Sequence, residues 1–478
     1  MTNLTSVLTQ QAQINGSEPA LVWSTGKLSF SELEDAVNGA ASRLVAAGVE
    51  PQDRVVVFAL PPHLDLIFFL ALTRIGAVSL TAKAASTALT SVFEWQVVIG
   101  RPEIESIIPG SKLIVADDSW TQIPEDAVAV VPYQFTEDEP CRILSTSGTT
   151  GKEKLAVYGH GALDRKMRDD SKHWVSELVE LDVMPAGSIG GLYTALNLMF
   201  RARPYFVVDG KDPQLLNFLV GSKVEGLSGS PYQVAQLMTA LEKTGLKLKN
   251  LKKIRLAGAI TSERLRNYIF SQYPVEISAV YGSTECGGVF SKDITKSSNL
   301  SDLGQLLEGA EITVNDEGGL PVGNGQIGSL GCKTSSMYLG YLQPDGSLLR
   351  ENTSGWFFPG DLVVMSQNTV TFVGRDSDIL NVGGVKIDAT ALDEFARNFE
   401  TVADALSFEA EDQSGKPVLA MAVVPRQGFE MAMLVEGLNR NFPNSAPQIL
   451  GEVKAIPRTE LGKPQRAALA KVFSAIAR

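Results

Sequence analysis

The sequence predicts an α/β protein in which parallel sheets are covered by helices on both faces, followed by a β-rich section and a small α+β domain. Three observations predict this fold class. The first half of the 478 residues alternates helical periodicity with short apolar strands. Glycine is dense and helical periodicity is weak from about residue 286 to 374. The final hundred residues return to alternating helices and strands, and the length suits about three lobes.

The elements of the first half follow from periodicity and from helix start and stop residues. Ser29–Ala47 has helical spacing, opens with a Ser-x-x-Glu capping box at Ser31 and Glu34, and precedes Gly48 as a stop. Short apolar runs bounded by glycine or polar residues indicate buried strands. We predict a helix at His63–Ile75 and strands at Arg54–Leu60, Ala77–Leu80, Lys112–Ala116, Arg142–Ser145, Tyr205–Val208, Lys253–Leu256 and Glu276–Tyr281.

The residue pattern of the chain changes near Cys286, from alternating helices and strands to short strands and turns. Short strands beyond it end in turns such as Asn315–Gly318 and Pro344–Gly346, which predicts a barrel-like β section. After Arg375 come a strand, a helix at Ala389–Asn398, a hairpin-like pair and a final alternation of helix and strand. About a hundred residues of this kind predict a separate small domain.

Composition and charge exclude several classes of protein. A chain that is 44% hydrophobic and 20% charged is globular, rather than disordered or dependent on disulfides for its fold. The 42 basic and 54 acidic residues give a net charge of −12, which disfavours nucleic acid as a partner. Three cysteines without a CxxC pair favour a reducing, cytoplasmic location. The most apolar stretch, Leu64–Ala82, is interrupted by Asp65 and Arg74, so we expect no membrane span.

The first stretch that carries chemistry is Ser145–Lys154, a loop of hydroxyl and glycine residues directly after a predicted strand. Small residues let backbone N–H groups approach an anion, hydroxyls add hydrogen bonds and lysines neutralise charge, so this loop suits phosphate. An ordinary surface loop is the alternative. The spacing of Gly148 and Gly151, and the residue after Lys152, exclude the P-loop of ATPases and GTPases.

Three further stretches hold polar residues in glycine-flanked turns. Tyr281–Glu285 follows an apolar strand, at the sheet edge where α/β proteins bind ligands. Gly355–Asp361 places a carboxylate in a tight turn, where it can accept two ribose hydroxyls. Ile456–Arg466 presents Lys463 on a glycine turn before a helix. Each stretch alone also fits an ordinary turn or a solvated side chain, so their order along the chain carries the interpretation.

Other patterns are set aside. The GxGxxG at Gly323–Gly328 lacks the strand before it and the helix after it that the dinucleotide fingerprint needs, so we interpret it as a β-turn. Gly226–Ser230 resembles a hydrolase nucleophile turn but has serine where the last glycine belongs. The three histidines show no metal-ligand spacing, so we predict no structural metal.

In this order, the four stretches resemble the core motifs of the adenylate-forming superfamily, which includes acyl-CoA synthetases, adenylation domains and beetle luciferases. Three further stretches also resemble family segments. Pro51–Val55 is similar to the family's early segment, Leu256–Ala259 to its adenine-contacting stretch, and Gly383–Ile387 to its post-hinge loop. The resemblance covers essentially the whole chain. It implies a large N-terminal domain, with two βαβ sheet subdomains and a barrel-like subdomain, and a small, mobile C-terminal α+β domain.

The resemblance also implies residue roles. The loop holds ATP phosphates, the Ala257 stretch and Tyr281 contact adenine, and Asp361 accepts the ribose hydroxyls. The ATP-binding residues it implies are Thr146, Ser147, Gly148, Thr149, Thr150, Gly151, Lys154, Ala257, Gly258, Ala259, Tyr281, Asp361 and Arg375. The catalytic residues it implies are Lys463, Thr284 at the α-phosphate, and Glu285, which also holds Mg²⁺.

The implied reaction joins two anions. A carboxylate attacks the α-phosphorus of ATP and pyrophosphate leaves, so Mg²⁺ and Lys463 would neutralise charge. The acyl-adenylate then meets a thiol, that of CoA in the leading interpretation or of a carrier-protein phosphopantetheine in the alternative. The family rotates its small domain between these steps about a hinge that here is Ser377, where Asp or Lys is common. We therefore divide the chain into domains 1–374 and 375–478.

The substrate pocket gives a weaker prediction. Its implied residues are Ser188, Gly190, Gly191, Ser228, Gly282 and Gly287. No acidic residue occurs from Met184 to Phe200, and a buried ammonium without a carboxylate is costly, so we argue against an α-amino acid. Small and apolar segments suit an aryl or aliphatic acid. A luciferase-like oxygenase and a catalytically silent nucleotide-binding regulator are the more distant alternatives.

Overall fold

The protein consists of two compact units. The computed structural model describes residues 3–83, 89, 95–104, 108, 110–147, 153–169, 178–208, 214–351, 355–382, 385–412, 416–443, 445–459, 462–466 and 468–470. The first unit takes the described residues within Met1–Gly148, Lys152–Ile312 and Cys332–Phe357. The second takes those within Thr313–Gly331 and Phe358–Arg478. The domain boundary at residues 374 and 375 stays a prediction.

The described residues form ten α-helices and 26 strands. The helices are α1 Thr5–Ile14, α2 Phe30–Ala46, α3 Pro62–Ile75, α4 His160–Met167, α5 Ile189–Phe200, α6 Leu215–Gly221, α7 Pro231–Thr244, α8 Glu263–Gln272, α9 Ala389–Arg397 and α10 Met431–Asn441. The first thirteen strands are β1 Pro19–Trp23, β2 Gly26–Ser29, β3 Arg54–Phe58, β4 Val78–Ala82, β5 Val97–Gly100, β6 Lys112–Val115, β7 Pro140–Ser147, β8 Glu153–Gly159, β9 Glu180–Asp182, β10 Tyr205–Phe206, β11 Gly226–Gly229, β12 Lys253–Ala257 and β13 Glu276–Ser283. The others are β14 Gly287–Ile294, β15 Gln305–Leu306, β16 Glu311–Asn315, β17 Ile327–Lys333, β18 Gly340–Leu342, β19 Leu348–Leu349, β20 Asp361–Ser366, β21 Thr369–Arg375, β22 Ile379–Val382, β23 Val385–Asp388, β24 Val402–Glu411, β25 Pro417–Pro425 and β26 Ile449–Glu452.

Two large mixed sheets build the first unit. One has nine strands in the order β15-β14-β13-β12-β11-β9-β10-β1-β2, and its central strands β10, β9, β11, β12 and β13 are parallel. The other has eight strands in the order β19-β18-β8-β7-β4-β3-β5-β6, with β7, β4, β3, β5 and β6 parallel. The parallel centres confirm the βαβ alternation that the apolar strands predict, because parallel neighbours need helical crossovers.

Both sheets end in antiparallel hairpins that the sequence analysis does not foresee. Strand β7 pairs with β8, and β13 pairs with β14, on either side of the stretches expected to bind ATP. The glycine-dense section supplies strands to both large sheets and to a four-stranded sheet in the order β16-β17-β20-β21. These strands explain its short apolar runs and frequent turns.

The second unit carries the small α+β elements. It includes a three-stranded sheet, β24-β25-β26, and a two-stranded sheet, β22-β23. Helices α9 and α10 pack on this unit through a core that includes Leu392, Leu419 and Leu434, each of which is fully buried. The predicted helix at Ala389–Asn398 is confirmed to within one residue.

Local details differ from prediction at the start of α2. The capping box forms between Ser29 and Glu32 rather than between Ser31 and Glu34, which is a correction. The Ser29 hydroxyl accepts from Glu32 N at 3.3 Å, and the Glu32 carboxylate accepts from Ser29 N at 2.7 Å. Both boxes fit the sequence pattern. The helix includes the buried Phe30 and so begins two residues earlier than a cap at Ser31 would allow.

The prediction of a turn at the GxGxxG stretch is confirmed. The GxGxxG stretch is a turn with Gly325 at φ +80°, and strand β17 begins at Ile327 instead of a helix. Within the described ranges, no helix is long and apolar enough to cross a membrane. The three cysteines, Cys141, Cys286 and Cys332, are all buried free thiols.

Candidate active site

The predicted phosphate loop joins two paired strands. Thr146 lies at the end of β7, is buried, and is paired with Lys154 of β8. Ser147 is the last residue of β7 and is paired with Glu153. The intervening predicted residues, Gly148, Thr149, Thr150 and Gly151, lie outside the described residues. The pairing of β7 with β8 therefore fixes the positions of the two residues on either side of this stretch.

Lys154 takes part in a polar contact chain. Its Nζ lies 2.5 Å from Glu351 Oε1 and 4.5 Å from the ring centroid of Tyr341. The Tyr341 hydroxyl donates to Glu285 Oε1 at 2.7 Å. The structure thus brings the predicted phosphate lysine and the predicted metal carboxylate together through one aromatic residue.

The turn between β13 and β14 presents Thr284 and Glu285. The Ser283 hydroxyl accepts from Glu285 N at 3.2 Å and from Cys286 N at 3.4 Å, so the turn is closed by a side chain. Gly282 makes the hairpin possible, because a Cβ there would lie 2.0 Å from Gly287 O. Only glycine fits at this position.

Two tyrosines hold that turn from outside it. Tyr158 of β8 donates to Thr284 O, and Tyr341 of β18 donates to the buried Glu285 carboxylate. Burial and the neighbouring Glu285 raise the pKa of Tyr341 well above its usual range, so its hydroxyl stays a donor. Sequence reasoning missed both tyrosines, because no local pattern relates residues this far apart in the chain.

The predicted adenine stretch lies beside this turn. Ala257 ends β12 and is paired with Val280, one residue before Tyr281. Gly258 follows in a left-handed conformation with φ +88°, which favours glycine, and Ala259 is exposed. The Tyr281 ring lies 6.0 Å from the Phe290 ring, edge to face.

The predicted substrate residues near α5 also have structural roles. Ser188 is the N-cap of α5: its hydroxyl accepts from Gly191 N at 3.3 Å and donates to Pro185 O at 2.7 Å. A Cβ at Gly190 would lie 2.8 Å from Met184 Cε. These contacts explain the small residues without a ligand, so the pocket assignment stays a prediction.

The remaining predicted substrate residues lie on the nine-stranded sheet. Ser228 of β11 is fully buried and donates to Glu180 Oε1 at 2.8 Å. Gly287 begins β14 at φ +70°, and a Cβ there would lie 3.2 Å from the Tyr193 ring. The assignment of both residues to the substrate pocket stays a prediction.

A carboxylate lies closer to the predicted pocket than the sequence window indicates. No acid occurs within Met184–Phe200, but Asp182 ends β9 directly beside Ser228. The range that we searched for acidic residues, Met184–Phe200, begins two residues after Asp182. Glu225, the other acid near Ser228 in the sequence, is instead paired with Lys252.

The second unit holds Asp361 and Arg375. These residues are paired across β20 and β21, with Arg375 Nε 2.6 Å from Asp361 Oδ1. Asp361 is 1% exposed, and Gly360 before it has φ +76°. The predicted ribose carboxylate and its predicted neighbour are thus in direct contact. The predicted hinge residue, Ser377, lies in the 3-10 turn Asp376–Asp378 directly after β21.

Lys463 lies in a turn that the second unit anchors firmly. Lys463 N donates to the Thr459 hydroxyl at 3.1 Å, and Thr459 N donates to Lys463 O at 2.8 Å. Arg458 at the start of the turn forms a bidentate ion pair with Asp404 of β24. Lys463 itself is half-buried.

The donor set fits ATP and Mg²⁺. Glu285 is 7% exposed, and Tyr341 binds one of its carboxylate oxygens, which leaves the other to ligate a hard cation. Lys154 contributes a cation over the ring of the same tyrosine, where it is paired with Glu351. The described residues contain no group of three or more His, Cys, Asp or Glu side chains arranged around a metal ion. A single buried carboxylate suits Mg²⁺, which commonly takes one or two protein carboxylates together with substrate phosphates and water.

The fold and these motif-bearing turns define an adenylate-forming enzyme. The sequence profile of the AMP-binding enzyme family matches residues 8–342. The chain therefore belongs to the AMP-binding enzyme family, as the ordered motifs indicate.

Its relatives include ligases with different acceptors. The chain is 22% identical to a 2-succinylbenzoate–CoA ligase of Listeria innocua, over 97% of this chain and 98% of that protein. It is 23% identical to the medium/long-chain-fatty-acid–[acyl-carrier-protein] ligase FadD10 of Mycobacterium tuberculosis, over 94% and 91%.

Solved structures share its fold. ATP-bound MatB of Rhodopseudomonas palustris matches with a TM-score of 0.83 and 22% identity, over 100% of this chain and 99% of that one. The O-succinylbenzoate CoA synthetase MenE of Bacillus subtilis, in complex with AMP, matches with a TM-score of 0.81 and 19% identity, over 98% of both. The predicted fold class is confirmed.

Proposed function

We propose that this protein is an acid–thiol ligase that activates a small carboxylic acid with ATP and transfers the acyl group to the thiol of CoA. The observation that carries the proposal is the buried Glu285 carboxylate, held by Tyr341 beside Lys154 at the ends of two hairpins. Glu285 would help at phosphates by holding Mg²⁺, and Lys154 would supply a second positive charge.

The proposed first step forms an acyl-adenylate. A carboxylate oxygen of the acid attacks the α-phosphorus of ATP, the bond to the bridging oxygen breaks, and pyrophosphate leaves. Bound Mg²⁺ would neutralise charge on the phosphate oxygens. Thr284 would bond the α-phosphate, Glu285 would ligate the metal, and Lys463 would stabilise the developing charge. Asp361 would accept the ribose hydroxyls.

The proposed second step forms a thioester. The thiol sulfur attacks the acyl carbonyl carbon, the bond to AMP breaks, and the thiol proton passes to solvent. CoA is the acceptor that we favour, and a carrier-protein phosphopantetheine is the alternative, since relatives of both kinds exist. We also propose a cytoplasmic location, where ATP and reduced thiols are available.

Pyrophosphate release tests the proposal. The full-length protein with ATP and Mg²⁺ is offered a panel of aryl and aliphatic acids, and we expect acid-dependent pyrophosphate with at least one. Adding CoA should then produce AMP and an acyl-CoA of the expected mass. ATP binding without pyrophosphate from any acid would instead support a silent regulator. Pyrophosphate without a thioester, until a phosphopantetheinylated carrier protein is added, would support the alternative acceptor.

A further inference from the structure

A cavity of about 230 Å³ lies at the edge of the nine-stranded sheet where β1 and β10 end. Trp23 is the last residue of β1, and Val207 directly follows β10. The two strands are parallel, so their carboxyl ends meet at this edge. None of the described residues that line the cavity is among the ATP-binding, catalytic or substrate residues predicted from the sequence. The cavity is therefore a separate candidate site.

The lining of the cavity is partly apolar and partly polar. The apolar part includes Val207 at the end of β10 and two residues of α6, Leu215 and Phe218. The polar part includes His63 at the start of α3 and Asp118 of the short helical turn Asp118–Thr121. A ligand that fills this space needs both a hydrocarbon part and a polar group.

Asp118 is held at the cavity by His63. The His63 side chain is 9% exposed, and its Nε2 lies 3.2 Å from Asp118 Oδ1. An ionised carboxylate only accepts hydrogen bonds, so the imidazole donates from Nε2. The His63 ring also stacks on Trp23, with the ring centroids 4.5 Å apart and the planes 5° from parallel. The stack and the hydrogen bond together place the carboxylate beside two aromatic rings.

The electrostatics of the cavity favour a cation. Burial lowers the pKa of His63, although the hydrogen bond to Asp118 opposes the shift, so the ring is uncharged at neutral pH. Asp118 is then the one charged group among the described lining residues. Arg43 contacts the same helical turn at Ser119 O, but its guanidinium lies over the Trp120 ring and does not line the cavity. An anion would be repelled by Asp118, whereas an ammonium would pair with it.

The volume and the aromatic lining limit the rest of the ligand. An apolar cavity of roughly 150 Å³ holds one benzene molecule. The 230 Å³ here therefore accommodate a benzene ring with about three further heavy atoms. Three of the lining side chains, Trp23, His63 and Phe218, are aromatic, and aromatic rings pack favourably on one another.

We propose that this cavity binds a small aromatic primary amine, with its ammonium group paired with Asp118 and its ring against the apolar residues of α6. A neutral ligand of the same size would leave the carboxylate without an ionic partner, and an anionic one would be repelled by it. The proposal adds a binding site that none of the adenylate-forming motifs contains.

A matched series of probes tests the charge of the ligand. Phenethylamine, 2-phenylethanol and 2-phenylethanesulfonate share the ring and the two-carbon chain but carry a cation, a neutral group and an anion. A sulfonate is used because a carboxylate is also a candidate substrate of the proposed ligase. Each probe is titrated calorimetrically into the full-length protein at low ionic strength, without ATP. We expect phenethylamine to bind about tenfold more tightly than the sulfonate, with the alcohol between them.

Two variants locate the site. Asp118→Asn keeps the shape of the side chain and should weaken phenethylamine about threefold to fivefold, as expected for an ion pair with a carboxylate that is 82% exposed, while the alcohol is unaffected. Asp126→Asn, at an exposed carboxylate between the same two strands that does not line the cavity, is the matched control. Leu215→Trp fills the cavity and should weaken both the amine and the alcohol at least tenfold.

Each outcome decides the inference. Equal affinity for the three probes, tighter binding of the sulfonate, or a phenethylamine affinity that Asp118→Asn leaves unchanged would overturn it. Binding that survives Leu215→Trp would also overturn it, because the amine would then lie elsewhere. No binding of any probe up to about 10 mM would show that the cavity holds only water.

The exposed position of Asp118 keeps the test decisive. If Leu215→Trp does not fold, Asp118→Asn and its control Asp126→Asn decide on their own. None of these measurements uses ATP or an acid, so their failure is distinguishable from a failure of the proposed ligase function.

Discussion

Glu285 is held in place by residues that no motif contains. The Tyr341 hydroxyl bonds its carboxylate, and the same ring lies under the Lys154 ammonium. A cation over an aromatic face and a charge-assisted hydrogen bond both restrict side-chain rotation. The contacts of Tyr341 with Lys154 and Glu285, and the ion pair of Lys154 with Glu351, therefore hold both side chains in place.

Replacing Glu285 should change the demand for metal. Glu285→Gln keeps the size of the side chain and the bond from Tyr341 but removes the anionic ligand. We expect the Mg²⁺ concentration for half-maximal pyrophosphate release to rise about tenfold or more, since charge dominates binding of hard cations. The exposed Glu308→Gln is the control. An unchanged Mg²⁺ dependence would remove Glu285 from the metal site.

Lys463 should serve the first half-reaction alone. Lys463→Ala should lower acyl-adenylate formation about a thousandfold, or about 4 kcal/mol, if it is the principal charge stabiliser. Synthetic acyl-adenylate supplied with CoA should bypass most of that loss. Lys454→Ala, an exposed lysine nine positions earlier in the same unit, is the matched control. Equal damage to both half-reactions would contradict the assignment.

Single residues were predictable where a motif surrounds them. Asp361 and Arg375 were expected together and form an ion pair. Tyr158 and Tyr341 were not predictable, because they reach Thr284 and Glu285 across distant parts of the chain. Asp182 was not predicted to lie near the pocket, because strand register, rather than distance along the sequence, places it beside Ser228.

At the scale of elements, the hairpin of β13 and β14 depends on Gly282. A methyl group there would lie 2.0 Å from a backbone oxygen, which cannot move without breaking strand pairing. Gly282→Ala should cost roughly 3 kcal/mol or more of unfolding free energy, as overpacking does. Gly309→Ala, at φ +75° with open space around it, should cost only about 1 kcal/mol. Urea unfolding compares the two, and equal costs would contradict the steric argument.

Helix α1 is attached through a neutral histidine. His160 Nε2 accepts from Leu4 N at 3.0 Å, and the ring stacks on Phe135. Burial lowers the pKa of His160 to about 4. The folded state therefore binds fewer protons than the unfolded state between that value and about 6.5, so stability falls as pH falls through this window.

A variant isolates this effect from other titrations. The expected loss for His160 between pH 6.5 and 4 is about 3 kcal/mol at most. His160→Gln should lack this contribution, so the stability difference between the two proteins should change with pH in that range and stay constant above it. A difference independent of pH would show that His160 does not titrate as its burial implies.

Element boundaries show where local patterns stop being sufficient. Two capping boxes were compatible with the start of α2, and the buried Phe30 selects the earlier one. The phosphate loop was expected after a strand, but its return as the antiparallel strand β8 depends on pairing with β7, which no local pattern records. Propensity and caps locate elements, whereas packing decides their ends.

For the whole molecule, the predicted rotation should depend on Ser377. This residue lies in a 3-10 turn directly after β21. Ser377→Pro would fix one backbone torsion and restrict the residue before it, so one half-reaction should be impaired at least tenfold more than the other. Ser377→Ala, which keeps a tolerant backbone, is the matched comparison. Equal effects of proline on both steps would argue against a hinge at this residue.

The order of motifs made the fold of the whole molecule predictable, because it reflects the entire chain rather than one segment. Strand order was not predictable: β9 lies between β11 and β10, and β1 joins the same sheet from the far end of the chain. Such neighbours are set by long-range burial of apolar faces, which periodicity does not encode.

The burial of all three native thiols makes the chain suitable for spectroscopy. Cys141, Cys286 and Cys332 are shielded from solvent, and burial raises the pKa of Cys141 to about 12. Hydrogen bonding with Cys332 lowers the pKa of Cys286, so that thiol is protected by its burial alone. Maleimide dyes react with accessible thiolates, so the natural protein should give a low labelling background. One surface cysteine introduced into each unit would then carry the only fluorophores. Energy transfer between them could follow the proposed rotation during turnover, without first removing any native residue.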